Sequence, residues 1–253
     1  MIYEFVQVLQ LSKVDVKAET GSSIEMRLKA DEIEYDRLPT EYVEDYYLKA
    51  KPKTFTNEDE EELMLSDQFV TINNGTSLES TLKEPLKVTE KSWRNELDQY
   101  IKENVLYGTQ YQFWKRSSDG TAITYTQQYN NKKLFENEHA QLTFYINSES
   151  EIDFYTQTYL EEIKELLDPE KIIQPIKALE ALWTKRELPP KSKIINVELG
   201  YYTLVPLLSD NQQQVLNPAW CFEVEGKGKL YVSAFEGEVV TDLKTTIQKK
   251  VLE

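Results

Sequence analysis

The stretch Ala140-Gln-Leu-Thr-Phe-Tyr-Ile146, continued through Asn147-Ser-Glu-Ser-Glu151 into Ile152-Asp-Phe-Tyr-Thr-Gln-Thr158, decides the fold class. Leu142, Phe144 and Ile146 alternate with Thr143 and Tyr145; Ile152, Phe154 and Thr156 alternate with Asp153, Tyr155 and Gln157. Alternation of this kind marks a half-buried strand, because successive side chains leave a pleated backbone on opposite faces. Two such runs joined by a polar link read as antiparallel neighbours, one face in a core and the other in water. On this reading Tyr145, Tyr155 and, just beyond, Tyr159 lie on the polar face.

Working outward, Trp93, Leu97, Tyr100, Ile101 and Val105 fall on one face of a helix beginning near Ser92. Strands at 111–116 and 121–129 follow it. Downstream, Asp168-Pro169-Glu170 has the form of a helix start, with Pro at the first helical position. Ile172, Ile173, Ile176, Leu179, Leu182 and Trp183 would line its apolar face, with Pro175 placed to kink or split it and Pro189-Pro190 to stop it. Strands are expected at 194–199, 201–208, 219–225 and 229–235. Helix-then-sheet thus occurs twice. Ala140-Gln-Leu-Thr-Phe-Tyr-Ile stands beside Ala219-Trp-Cys-Phe-Glu-Val, offset by 79 residues. This pattern fits an internal repeat, and it also fits two similar hairpins produced by β patterning alone.

The N-terminal third is less regular. Residues 1–21 are apolar in part (Phe5, Val6, Val8, Leu9, Leu11) but fit helix and strand equally. Ser22 and Glu25 have capping-box spacing for a helix over about 23–32. A short strand at 46–51, a helix opened by Asn57 and its acidic first turn, and a hairpin around Asn73-Asn74-Gly75 follow. Polar residues 83–91, with Pro85, read as a boundary. The fold class is α+β, with antiparallel sheets packed against helices. The expected domains are an N-terminal portion, 1–90, and a C-terminal portion, 91–253, containing helix-plus-sheet repeats at about 91–165 and 166–253.

Composition restricts function. The 253 residues carry 44 Asp plus Glu against 29 Lys plus Arg, a net charge of −15, with one His and one Cys. Nucleic acid is disfavoured, since phosphate binding depends on Lys and Arg, and anionic lipid is disfavoured for the same reason. One Cys excludes an intramolecular disulfide, and the shortage of His and Cys argues against zinc. No apolar run reaches the length of a membrane-spanning helix, and no signal peptide is visible.

No chemistry stands out. His139, in a Glu-rich segment, has no nucleophile motif beside it and reads as an exposed loop residue. Cys221 reads as a packed strand side chain. Glu58 to Glu62 lack the pattern of a calcium loop. No glycine-rich phosphate loop occurs. Tyrosines are the remaining peculiarity: Tyr42, Tyr46 and Tyr47 cluster, as do Tyr107, Tyr111, Tyr125 and Tyr129, with Trp114 among them. Tyr gives contact area with a polar tip and suits interfaces, although it also favours strands. Tyr125, Tyr145, Tyr155 and Tyr159 are the candidate partner surface.

Two segments resemble the YycI (WalI) regulatory proteins. One is Ile24-Glu-Met-Arg-Leu-Lys-Ala-Asp-Glu-Ile-Glu-Tyr-Asp-Arg-Leu-Pro39 with Tyr47-Leu-Lys-Ala-Lys-Pro-Lys-Thr-Phe55. The other is Asn217-Pro-Ala-Trp-Cys-Phe-Glu-Val224 with Leu230-Tyr-Val-Ser-Ala-Phe-Glu-Gly-Glu-Val239. In the second, Ser233 stands where the family pattern has Asn, and Glu236 where it has Thr. The resemblance implies the extracytoplasmic part of a protein anchored by one N-terminal transmembrane helix in a Gram-positive bacterium. It also implies action with a YycH-like protein on the WalK sensor histidine kinase of the WalK/WalR (YycG/YycF) system, which controls cell-wall metabolism, without catalysis, cofactor or nucleic acid. The family supplies no catalytic residues. Pro218, Trp220, Tyr231, Phe235 and Gly237 are the motif positions, read as scaffold, with Gly237 supplying a turn at positive φ. A PepSY-like peptide or small-ligand module is the alternative. A carbohydrate-active enzyme using two buried acids is a third reading.

Overall fold

The structure, a computed structural model, describes residues 21–64, 67–88, 92–205 and 213–240. The expectations for residues 1–20 and 206–208 lie outside these. The chain forms two compact units, one of Met1–Lys49 with Lys164–Glu253, the other of Ala50–Ile163.

The first unit begins with α1 (Gly21–Ala30), β1 (Glu34–Tyr35) and β2 (Glu44–Asp45). The chain leaves it through β3 (Leu48–Pro52). The second unit holds α2 (Asn57–Met64), β4 (Gln68–Asn73), β5 (Ser77–Lys87), α3 (Trp93–Asn104), β6 (Tyr111–Arg116), β7 (Ala122–Tyr129), β8 (Lys132–Phe135), β9 (Gln141–Ile146) and β10 (Glu151–Gln157). The chain returns through β11 (Leu160–Glu165) to β12 (Glu170–Lys171), α4 (Pro175–Thr184), β13 (Lys193–Val205), β14 (Gln214–Val224), β15 (Gly228–Ser233) and β16 (Val239–Val240).

In the first unit β13, β14, β15 and β16 form an antiparallel meander. β1 joins β13 in a short parallel pairing, Glu34 opposite Lys193, which departs from the all-antiparallel expectation. Ile24 and Leu28 of α1 and Leu179 and Leu182 of α4 share a core with Trp220, Phe222, Val224 and Val232. Each such side chain, fully buried, contributes about 1.5–3 kcal/mol. Trp183 Nε1 donates to Asp31 Oδ2 at 2.6 Å and Arg27 pairs with Glu180 at 3.2 Å, fastening α4 to the end of α1.

The second unit's sheet runs β6-β7-β9-β10-β5-β4. Leu97 and Ile101 of α3 lie in its core with Leu78, Ile123, Leu142, Phe144 and Ile152. The long β5 is why the boundary expected near residue 90 falls inside this unit. Its pairing with β10, from Leu78 opposite Gln157 to Lys87 opposite Glu151, joins residues on either side of that position. Pro85 sits where this ladder is irregular, between Ile152 and Phe154, the place in a sheet where a missing N–H is tolerated.

Three local expectations are corrected. The helix expected from Pro169 starts at Pro175, whose fixed φ and missing N–H suit a first helical position; residues 170–171 instead pair with β2. The strands expected at 194–199 and 201–208 are one strand through Gly200. Thr56, not Asn57, caps α2. Asp59 N donates to Thr56 Oγ1 at 3.4 Å and Thr56 N to Asp59 Oδ2 at 2.8 Å, a reciprocal capping pair.

Candidate interaction site

The second YycI-like segment occupies β14, β15 and the turn that follows. Pro218, Trp220, Tyr231 and Phe235 are all buried. Trp220 Nε1 donates to Ile173 O at 2.9 Å, and the Tyr42 ring meets it edge-on at 6.0 Å. Phe235 packs on Tyr47 at 4.7 Å. Gly237 has φ +70, and a Cβ there would lie 3.4 Å from Ile173 Cδ1. The αL conformation, more than lack of space, is what selects glycine.

Beneath this turn is a buried polar cluster. Asn217 Nδ2 lies 3.0 Å from Tyr202 Oη, 3.0 Å from Ser233 Oγ and 3.1 Å from Glu236 Oε2. Ser233 Oγ also donates to Glu236 Oε2, and Tyr47 Oη donates to Glu236 Oε1 at 2.9 Å. Burial, then the Glu236 carboxylate, pushes the Tyr47 and Tyr202 hydroxyls well above the ordinary phenol range, so both remain protonated donors. Ser233 and Glu236, the two positions that depart from the family pattern, therefore touch each other and share Asn217. Asn217 Oδ1 is buried and has no hydrogen-bond partner among the described residues.

The expected tyrosine surface is corrected in three of its four members. Tyr125 and Tyr155 are fully enclosed and Tyr159 is buried; Tyr145 is 41% exposed. For Tyr155 and Tyr159 the cause is a β-bulge. The register of β10 against both neighbours shifts between Ile152 and Phe154, so Tyr155 pairs with inward Phe144 and Phe154 with outward Tyr145. One inserted residue reverses every side chain after it, and inward parity then runs through Tyr155, Gln157 and Tyr159. Tyr125 pairs with inward Leu142. Its hydroxyl donates to Asp98 Oδ1 at 2.6 Å, and burial, then that carboxylate, raises its pKa far above normal.

The same register builds a different surface. Phe69, Thr81, Phe154, Tyr145 and Ala122 form one outward row across five strands. Thr71, Glu79, Thr156 and Thr143 form the next, which ends at buried Thr124. Phe69 is 62% exposed, and the Tyr145 and Phe154 rings lie 5.4 Å apart. Glu79 is the only charge in the two rows. The sequence's unbroken alternation assigned Phe154 to the core, and no residue-type signal marks the bulge that turns it outward.

His139 is half-buried in a turn rather than exposed, with Glu138 Oε1 3.7 Å from its Nε2. Cys221 is buried. Among the described residues no cluster of three His, Cys, Asp or Glu could hold a metal ion, and no helix is long and apolar enough to cross a membrane.

The geometry defines an α+β module with a buried polar motif and a sheet face that carries an outward aromatic row, with the Lys83 ammonium over the Phe69 ring at 5.6 Å. The family model described as YycI protein matches residues 11–235, and the chain belongs to the YycI family. This is a regulatory, non-enzymatic family of extracytoplasmic proteins. No curated protein matches the chain. An uncharacterized protein from Eubacterium rectale has the same fold at 10% identity, with a TM-score of 0.53, 83% of this chain and 89% of that one being covered. YycH from Bacillus subtilis aligns at 13% identity and TM-score 0.42, over 79% of this chain and 54% of its own length. The Bacillus megaterium YpeB C-terminal domain aligns at 9% identity and TM-score 0.42, over 88% and 96%.

Proposed function

We propose that this chain is the extracytoplasmic portion of a membrane-anchored regulator. With a YycH-type partner it modulates a WalK-type sensor histidine kinase that controls cell-wall metabolism in a Gram-positive bacterium. The observation that carries this reading is the family match over residues 11–235. The two successions of helix and antiparallel meander, α3 with β6 to β10 and α4 with β13 to β16, are read as one architecture used twice.

The role of the protein is to bias a two-state kinase by differential contact, which requires a surface and no chemistry. The Phe69, Phe154 and Tyr145 row is the contact we assign to the YycH-type partner. Aromatic side chains are enriched at interface centres, and charged ones are depleted there. The anchor is a transmembrane helix outside the chain described here. Affinity purification of the full-length protein from native membranes, with mass spectrometry of what is retained, tests this. Recovery of a sensor histidine kinase and a YycH-type protein supports it; their absence from intact, membrane-inserted preparations overturns it.

A further inference from the structure

A groove in the second unit stands apart from the acidity of the chain. Residues 92–135 carry six Lys and Arg against four Asp and Glu, leaving 23 against 40 in the rest of the molecule. Structure gathers three of those cations. Arg94 and Lys102 of α3, and Lys133 of β8, line a groove of about 320 Å³ with Gly108, Thr109, Gln112, Phe113 and Gln128.

Two of these cations are only weakly engaged by carboxylates among the described residues. The Arg94 guanidinium carbon lies over the Phe113 ring, 4.0 Å from its centre. Its Nε is 4.0 Å from Asp98 Oδ2, while its terminal nitrogens make no hydrogen bond among the described residues. Lys102 forms no ion pair among the described residues. Asp98, the groove's acid, is already engaged by the Tyr125 hydroxyl. The groove wall is rigid where the chain turns out of α3: a Cβ on Gly108 would lie 1.8 Å from Ile101 O, so the loop rests on the helix backbone.

We propose that this groove binds a small oxyanion, a phosphate or carboxylate group, with Arg94 presenting its fork and Lys102 and Lys133 adding charge. A planar guanidinium held by an aromatic ring is suited to two-oxygen recognition of such groups. The acidic remainder of the chain opposes this only weakly, because its field is screened within about 8–10 Å at physiological salt.

The test is titration of the isotope-labelled protein with inorganic phosphate and, separately, citrate, at matched ionic strength with sodium chloride as control. Backbone amide shifts at Gly108, Thr109 and Gln112 are the readout. Saturable shifts at these amides with a millimolar midpoint are expected, weakened at least tenfold in Arg94→Gln and several-fold in Lys102→Gln. Both substitutions are of exposed side chains, and the spectra themselves report whether the fold is kept. A response to phosphate alone, or to citrate alone, identifies the source of the oxyanion. Non-saturating shifts up to 20-fold above that range, or equal shifts in wild type and both variants, overturn the proposal.

Discussion

Asn217→Ala is the sharpest probe of the motif core. The Asn217 amide has two N–H groups for three acceptors, Tyr202 Oη, Ser233 Oγ and Glu236 Oε2, all within 3.0–3.1 Å, so two are served at once. Losing one bond to a carboxylate costs about 1.5–3 kcal/mol and one to a neutral hydroxyl about 0.5–1.5 kcal/mol. The expected loss is therefore about 2–4 kcal/mol, measured by urea unfolding and by hydrogen exchange of β14 amides. Asn217→Asp sharpens the prediction. It sets a second carboxylate against Glu236 in a buried site, which drives the pKa of one of the pair up. A group whose folded pKa is raised above its unfolded value contributes stability at low pH and loses it as pH rises through the folded pKa. Asn217→Asp should therefore recover stability on acidification from pH 7 toward pH 5, and Asn217→Ala should not. A loss under about 0.5 kcal/mol for Asn217→Ala, or the same pH profile for both variants, would show that the Asn217 network does not stabilise the motif core.

Other outcomes follow from the geometry. Gly108→Ala forces the loop off Ile101 O and should cost at least about 3 kcal/mol by chemical denaturation, since backbone on both sides must move. Lys53 and Asp59 pair at 3.1 Å with little solvent access; burial pulls the Lys53 pKa down, but the hydrogen bonds Lys53 makes to Asp59 and Tyr107 outweigh it and raise it. Lys53→Ala should cost about 3–5 kcal/mol, because Asp59 is left buried without its cation. The Asp119 carboxyl is held down to about 2 by hydrogen bonds from the Ser117 hydroxyl, then from Thr121. A depressed folded pKa gives stability that is complete above the unfolded value and is lost as pH falls toward 2. The melting temperature of Asp119→Asn should thus be lower than wild type at pH 7 and converge with it near pH 2. Phe69→Ser should change stability by under about 0.5 kcal/mol, the usual range for a surface substitution, while weakening partner capture.

Much of the fold is legible in residue patterns because α3 and the β9–β10 pair are built on periodicity, and periodicity follows from backbone geometry alone. The elements that were misplaced depend on tertiary pairing. β12 exists because Glu170 and Lys171 meet Asp45 and Glu44 across more than a hundred residues, and nothing near Pro169 announces it. The site is less legible than the fold. The resemblance picked out Pro218, Trp220, Tyr231, Phe235 and Gly237, which lie on β14, β15 and the turn after them, yet residue types could not show that Ser233 and Glu236 are bonded partners. At Tyr155 and Tyr159 the expected tyrosine surface fails on one bulge, since period-two reasoning carries any insertion forward into every later side chain; Tyr125 is turned inward by its pairing with Leu142. Tyr145, upstream of the bulge, is the member still on the surface.

Photo-crosslinking in living cells reads directly whether the Phe69, Phe154 and Tyr145 row meets the YycH-type partner. A photoreactive amino acid at position 145 of the full-length, membrane-anchored protein should yield adducts with the YycH-type partner, identified by mass spectrometry, while the same probe at exposed Val43 in the first unit should not. Equal labelling from both positions, or no adduct with that partner from position 145 in cells where the protein is inserted, would contradict the account.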